Sequence, residues 1–535
     1  MSWINSFSAT CVGLFSNFSY LFLVVCGLKV VIFIIFFSES ERKTIERFFT
    51  ICLIIKIIIL AWFFLFYYYP NESIVFMNYI YENYNFASYP FVLLCIGYGL
   101  MCATLDSMAI VNYFMQDYQF SCDGVSFVFI CLNALICYLC ILYNSLNLKI
   151  KNFYFNTLTI VFIEFFMYFV FLTREFIIFY IFFEAILIPM FFMIGLLGSR
   201  NRKIHASYLF FVYTFIGSLL LLTALFFMMY KFGTTNIEVI YGLLSQDKVI
   251  LTFREELFLW LLLFFGFAVK IPMFPVHIWL PEAHVEAPTT GSVILAGLLL
   301  KLGGYGVLRF LVPICGNVNL LLKDYIILFC FLAIIYASIA ALRQVDLKKI
   351  IAYSSVVHMN FGFIGVFLNN IDGAVSFVAI MLSHGIVSAG LFFIAGSIYE
   401  RLGTRSMFYL RGLCQLMPLF SVFFFLLTLS NMSFPGTLSF AAEFLIIISI
   451  FNEFKIVSSI AILLLSGSIL YNIWLVTKAI FSVVDWETVQ FFKIKDLSFR
   501  EFKILFILTI LSLIFGTLLC YPLIDFLKLT AFLHL

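Results

Sequence analysis

Apolar runs of about 18 residues or more recur in this 535-residue chain from Tyr20 almost to its end. Each can cross about 30 Å of hydrocarbon as a helix. Lipid offers the backbone no hydrogen-bond partner, so such a chain must close its own bonds as helices or as a closed barrel, and the runs are too long for barrel strands. Composition agrees, with 64% hydrophobic residues, 11% charged residues and a mean hydropathy of +1.12. The expected fold class is an all-α polytopic membrane protein.

The spans read near 20–37, 49–69, 90–113, 124–146, 153–172, 174–197, 206–230, 257–275, 288–312, 324–342, 347–368, 375–399, 413–451, 457–484 and 503–524. The stretch 413–451 is too long for one straight span, and Pro435-Gly436 predicts a helix broken near mid-membrane. Loops at 149–151, 200–203, 343–349, 401–411 and 493–503 are rich in Lys and Arg and alternate with loops that are short, nearly uncharged or, from Lys231 to Glu256, mixed in sign. The basic set is therefore expected inside and the C-terminus outside. The basic loop at 42–47 fits this parity only if 90–113 lies at the interface or re-enters, which leaves about 14 spans.

Other classes are excluded. A net charge of +3 is too small to suggest nucleic acid as a partner. The 13 cysteines lie mostly in apolar runs, and Cys137 and Cys140 have no second pair at metal spacing. No glycine-rich phosphate loop follows a strand-like segment, so no cofactor or redox centre is expected in this chain. The 72 phenylalanines suggest AT-rich coding, compatible with an organelle genome, and the start resembles neither a secretory signal nor an Arg-rich transit peptide.

The organising stretch is 266–306, GFAVKIPMFPVHIWLPEAHVEAPTTGSVILAGLLLKLGGYG. Two apolar runs each carry one lysine, Lys270 and Lys301, and Pro272 and Pro275 interrupt the first. A lysine at mid-bilayer costs roughly 2.5–3.5 kcal/mol and so points to an ion or proton route. Glu184 and Glu443 are equally deep in apolar runs. Glu184 with Lys270 is the natural pair, since opposite charges hold each other ionised; a purely structural ion pair is the alternative. His358 and His384 suit a proton relay, with Ser354 one turn before His358 on the same face. Either histidine alone reads as well as a packing residue.

His277, Glu282, His284 and Glu286 lack the helical i, i+4 histidines of a zinc site, so no metal is expected at this bend. Lys29 and Lys56 read as snorkelling, Glu164 as pairing with a neighbouring helix, and Lys478 has no assigned role. Asp346, Lys348 and Lys349 read as a solvated inner end. The five spans of 153–312 and the five of 324–484 each place a Pro-broken helix fourth. An odd number of spans inverts the second unit, and paired broken helices in inverted repeats mark a midplane transport site. The segments 1–123, 124–152 and 485–535 flank these two units.

At FAVKIPMFPVHIWLPEAHVEAPTTGSVILAGLLLKLGGYGVLR the chain resembles the antiporter-like membrane subunits of respiratory complex I (NADH:ubiquinone oxidoreductase), a family shared with multisubunit cation/proton antiporters. The likeness continues through FFEAILIPM, ALRQVDLKKIIAYSSVVHMN, SHGIVSAGLFFIAG and NMSFPGTLSFAAEF, over about residues 120–485. The LPEAHVEAP bend and Glu443, where sibling subunits usually carry lysine, are similar to the subunit 4 branch. The resemblance implies a 14-helix proton-pumping subunit. Glu184 and Lys270 would be its coupled pair, Lys301 its central lysine, His358 and His384 its relay and Glu443 its terminal site. It implies that NADH, FMN, iron–sulfur clusters and ubiquinone are handled by other subunits. It also implies membrane lipids and the antiporter-like subunits 2 and 5 as partners, in the mitochondrial inner membrane or, as the alternative, a bacterial plasma membrane. The rival readings are a subunit of a cation/proton antiporter and a non-pumping scaffold.

Overall fold

The computed structural model describes residues 42–68, 120–146, 153–246, 248–368, 370–483 and 495–531, with scattered helical positions between 22 and 33. The expected segment at 90–113 lies outside them. In order, the principal helices are α1 (Arg42–Tyr68), α2 (Gly124–Leu146), α3 (Phe153–Leu172), α4 (Phe176–Ala185), α5 (Leu187–Leu197) and α6 (Lys203–Phe232), short helices at Ile237–Ser245 and Leu413–Leu416 being left unlabelled. There follow α7 (Phe253–Lys270), α8 (Trp279–Glu286), α9 (Thr289–Ile314), α10 (Gly316–Arg343), α11 (Leu347–Phe367) and α12 (Ile371–Leu402). The chain closes with α13 (Pro418–Asn431), α14 (Leu438–Glu453), α15 (Lys455–Ala479), α16 (Phe499–Thr517) and α17 (Cys520–Ala531). Among the described residues nine helices are long and apolar enough to span a membrane, or ten with the bent α16–α17 pair. Pairing outside helices is limited there to isolated bridges such as Phe120 with Thr173.

Proline sets most of the interruptions, because it cannot donate to the carbonyl four residues back. Pro272 and Pro275 separate α7 from α8, and Pro435-Gly436 separates α13 from α14. Gly436 has φ +94°, a conformation that favours glycine. Of the expected single spans, one is bent and another is only locally irregular. The 174–197 span forms one 22-residue apolar helix, Phe176–Leu197, in which a turn at Ile186 marks off α4 from α5 and Pro189 leaves the Ala185 carbonyl without a helical donor. The 503–524 span bends by 72° between α16 and α17, where Pro522 cannot donate to Leu518. By contrast, α9 runs unbroken but holds two π segments, Leu295–Leu299 and Val307–Leu311.

The middle of the molecule is buried: the spanning windows of α9, α11 and α12 are 94–100% covered. A glycine pair sets how closely α9 and α12 approach. A Cβ on Gly297 would meet Ile136 Cδ1 at 2.6 Å, and one on Gly385 would meet Leu132 Cδ2 at 2.9 Å and the Gly297 carbonyl at 3.2 Å. A side chain there would have to displace these neighbours, so α9 and α12 pack almost backbone to backbone, with side chains of α2 closed over the pair. One turn beyond Gly297 lies Lys301, and directly before Gly385 lies His384.

Candidate functional site: a buried line of titratable side chains

Lys270 ends α7, 2% exposed, with its Nζ 4.4 Å from the Phe183 ring centroid. Neither Lys270 Nζ nor Glu184 Oε1 has a hydrogen-bond partner in the protein. The expected direct Glu184–Lys270 ion pair is therefore not formed in this structure. Phe183 presents its ring face to the ammonium instead, an attraction a desolvated cation accepts. The carboxyl of Glu184 stays half-buried at the end of α4.

Lys301 is fully buried on the helical turn between the two π segments of α9. Its Nζ donates to the Ala296 carbonyl at 2.6 Å and lies 2.8 Å from His384 Nδ1. A π segment leaves carbonyls outside the usual i→i+4 ladder, and Ala296 lies within the first one. With Lys301 protonated, His384 Nδ1 accepts and its Nε2 carries the hydrogen, a tautomer assigned from the hydrogen-bond pattern. Nε2 has no protein partner.

On α11, His358 Nδ1 lies 2.9 Å from Glu443 Oε1 on α14. The two histidine rings are 6.1 Å apart between centroids. Both line a narrow polar cavity with Ser383, Asn431, Ser439 and Glu443. His358 Nε2, like His384 Nε2, has no protein partner. The spatial order is thus Lys301, His384, His358, Glu443, whereas in sequence His358 comes first. The Ser354 hydroxyl donates to the Ile351 carbonyl at 2.7 Å, not to His358. Reading the sequence missed the small polar residues of the cavity. Their signal is the flanking of the α13–α14 break by Asn431 and Ser439, polar residues where backbone groups are freed.

The bend after α7 is held by cations. Lys348 is 1% exposed, and its Nζ donates to the Ala287 carbonyl at 2.8 Å and to Ser292 Oγ at 3.1 Å. The solvated reading therefore fails for Lys348, which seats its charge on the carbonyl end of α8. Lys349 pairs with Glu282 at 2.8 Å. His284 is fully buried and stacks on Phe392 with centroids 4.6 Å apart.

A second buried cluster corrects the snorkelling assignment. Lys29 and Lys56 both turn inward and ion-pair with Glu164 on α3. Tyr168 donates to the same carboxylate at 2.9 Å, and Asn133 on α2 donates to the Glu164 carbonyl at 3.1 Å. In hydrocarbon a carboxylate within reach outcompetes a route to the interface. Among the described residues no three His, Cys, Asp or Glu side chains gather as metal ligands.

Interrupted helices whose freed backbone lines a buried chain of titratable groups define a polytopic ion-translocating membrane protein. The family NADH:quinone oxidoreductase/Mrp antiporter, membrane domain, matches residues 173–470. NADH-ubiquinone oxidoreductase chain 4 of Acanthamoeba castellanii is 45% identical over 403 residues, covering 75% of this chain and 78% of that protein. The chain 4 protein of Chondrus crispus is 46% identical over 406 residues, covering 76% and 80%. A chain of Thermus thermophilus respiratory complex I superimposes with a TM-score of 0.69 at 27% identity, covering 77% of this chain and 85% of that one. A chain of the Dietzia Mrp complex shares the fold alone, with a TM-score of 0.67 at 20% identity. The chain belongs to the NADH:quinone oxidoreductase/Mrp antiporter family, with NADH-ubiquinone oxidoreductase chain 4 proteins among its relatives.

Proposed function

We propose that this chain is the proton-translocating subunit 4 of respiratory complex I, and that Lys270, Lys301, His384, His358 and Glu443 carry the proton in that order. The observation that carries the reading is the buried run from Lys301 to His384 at 2.8 Å and from His358 to Glu443 at 2.9 Å. The rings between them share one polar cavity. A histidine accepts at one nitrogen and gives up at the other, so each ring can pass a proton on without turning its backbone.

Glu184 is the control element in this proposal. Apart from Glu184, Lys270 stands as a buried charge with no counter-ion. With the carboxylate against it, the ammonium is held. A change in that distance therefore loads or discharges Lys270. Moving one charge against 100 mV costs about 2.3 kcal/mol, so the drive must come from outside the chain. NADH oxidation and ubiquinone reduction, with their FMN and iron–sulfur clusters, belong on this reading to other subunits. The antiporter-like subunits 2 and 5 and membrane lipids would cover apolar side chains left exposed, such as Leu463 and Leu470 on α15 and Phe226 on α6. Relatives in amoebae, algae and plants support the mitochondrial inner membrane as the location.

The test is the number of protons pumped per electron after Lys270→Ala in the assembled complex. A lower ratio at normal NADH oxidation is expected, and an unchanged ratio overturns the proposal. An exchanger working without NADH oxidation is the rival, and failure to co-migrate with NADH:quinone reductase activity would favour it.

A further inference from the structure

Beyond Lys301, α9 carries a second group of polar side chains. Tyr305 follows Lys301 by one turn, about 6 Å along the axis, and Arg309 follows Tyr305 by a second, π-type turn. By the loop charges this is the outer end of α9. Here Arg309 donates to Ser126 Oγ at 3.3 Å, Ser126 lies 3.1 Å from the Tyr305 hydroxyl, and Tyr305 donates to the Phe171 carbonyl at 3.0 Å. Because Tyr305 spends its hydrogen on Phe171, Ser126 must donate to Tyr305, so the three donors point one way. Asp123 ion-pairs with Arg309 and lies 3.8 Å from Arg174, which in turn pairs with Glu238. These residues line a surface cavity over Tyr305.

We propose that Arg309, held by Asp123 over Tyr305, is an electrostatic plug that closes the outer end of the first half of the chain and forces protons from Lys301 to leave through His384. Proton hopping requires every link to accept one hydrogen and pass another on. A guanidinium has five donors, no acceptor and a proton it does not release, so it can do neither. Its fixed charge also repels a proton arriving from the cavity, as a charged constriction does in selective pores. The Tyr305 hydrogen ends on a backbone carbonyl, which passes nothing further. Short of this plug, Lys301 would be one turn from a hydroxyl chain reaching the surface, and a proton delivered to it could return or escape without crossing the second half.

The proposal rests on the proton-carrying role of Lys301, but its test does not use pumping. Whole complex is reconstituted in vesicles without NADH, a pH step is imposed, and the passive proton flux is measured. Arg309→Gln is expected to raise the flux on the order of tenfold, the effect of one unit charge lost from a partly buried site. NADH oxidation should be unchanged. Asp123→Asn removes one anchor but leaves the guanidinium on Ser126 and over the Tyr305 ring, so its flux is expected to stay near wild type. Arg309→Lys keeps a cation and is expected to leak less than Arg309→Gln; it also serves if the glutamine variant fails to assemble. Unchanged flux in Arg309→Gln, or equal leak in Asp123→Asn, overturns the charge barrier. A complex whose pumping ignores Lys270→Ala but whose leak follows Arg309 would refute the proposed route and leave the plug standing.

Discussion

Lys301 Nζ and His384 Nδ1 lie 2.8 Å apart, on two helices brought together where Gly297 faces Gly385. Neither residue is within reach of the other by sequence, and 83 positions separate them. The contact places Lys301 beside His384 and not His358, so on the proposed route His384 is the first acceptor.

That order predicts unequal effects of the two histidines. His384→Gln should cut proton transfer beyond Lys301 by about 10²-fold or more, the usual cost of losing a positioned acid–base group. His358→Gln should act one step later and leave the Lys301 proton able to reach His384. Proton-coupled charge movement in the assembled complex, resolved in time, would separate the steps, and an earlier block in His358→Gln would refute the order.

The glycine pair should be intolerant of side chains. Gly297→Val places new carbon where Ile136 Cδ1 stands 2.6 Å from an ideal Cβ. Overpacking of this kind costs about 1–3 kcal/mol and forces α9 from α2, disturbing the seat of Lys301 one turn on. A lower melting temperature together with lost pumping is the expected pair of readouts.

Glu164→Gln should be the most damaging change outside the proton line. It leaves Lys29 and Lys56 buried without their carboxylate, a loss of about 3–5 kcal/mol. Replacing all three with Lys29→Met, Lys56→Met and Glu164→Met should restore most of the assembled subunit, because an apolar cluster needs no pairing. The yield of complex in native gels checks both outcomes. Full pumping in the triple variant would confirm that this cluster lies off the route.

Gly436→Ala probes the second break. The φ of +94° suits glycine, and a Cβ there costs on the order of 1–2 kcal/mol. The strain falls beside Ser439, Asn431 and Glu443, so pumping should fall more than stability. Comparing the proton ratio with the thermal midpoint tests this.

By itself the sequence determined the class of protein. Runs of apolar residues in lipid can only be helices, prolines must interrupt them, and charges buried there must have a purpose. From those rules Glu184, Lys270, Lys301, His358, His384 and Glu443 could be singled out one by one, together with the break at Pro435-Gly436. Tertiary structure decided who meets whom. Glycine-to-glycine packing lets Lys301 reach His384, a ring rather than Glu184 covers Lys270, and Lys29 and Lys56 each meet Glu164 across more than a hundred residues of sequence. The physical reason is that the cost of burying a charge is set by residue type and depth, which a sequence displays. The identity of its partner is set by how closely two helices pack, and that depends on side chains from segments the local pattern does not join.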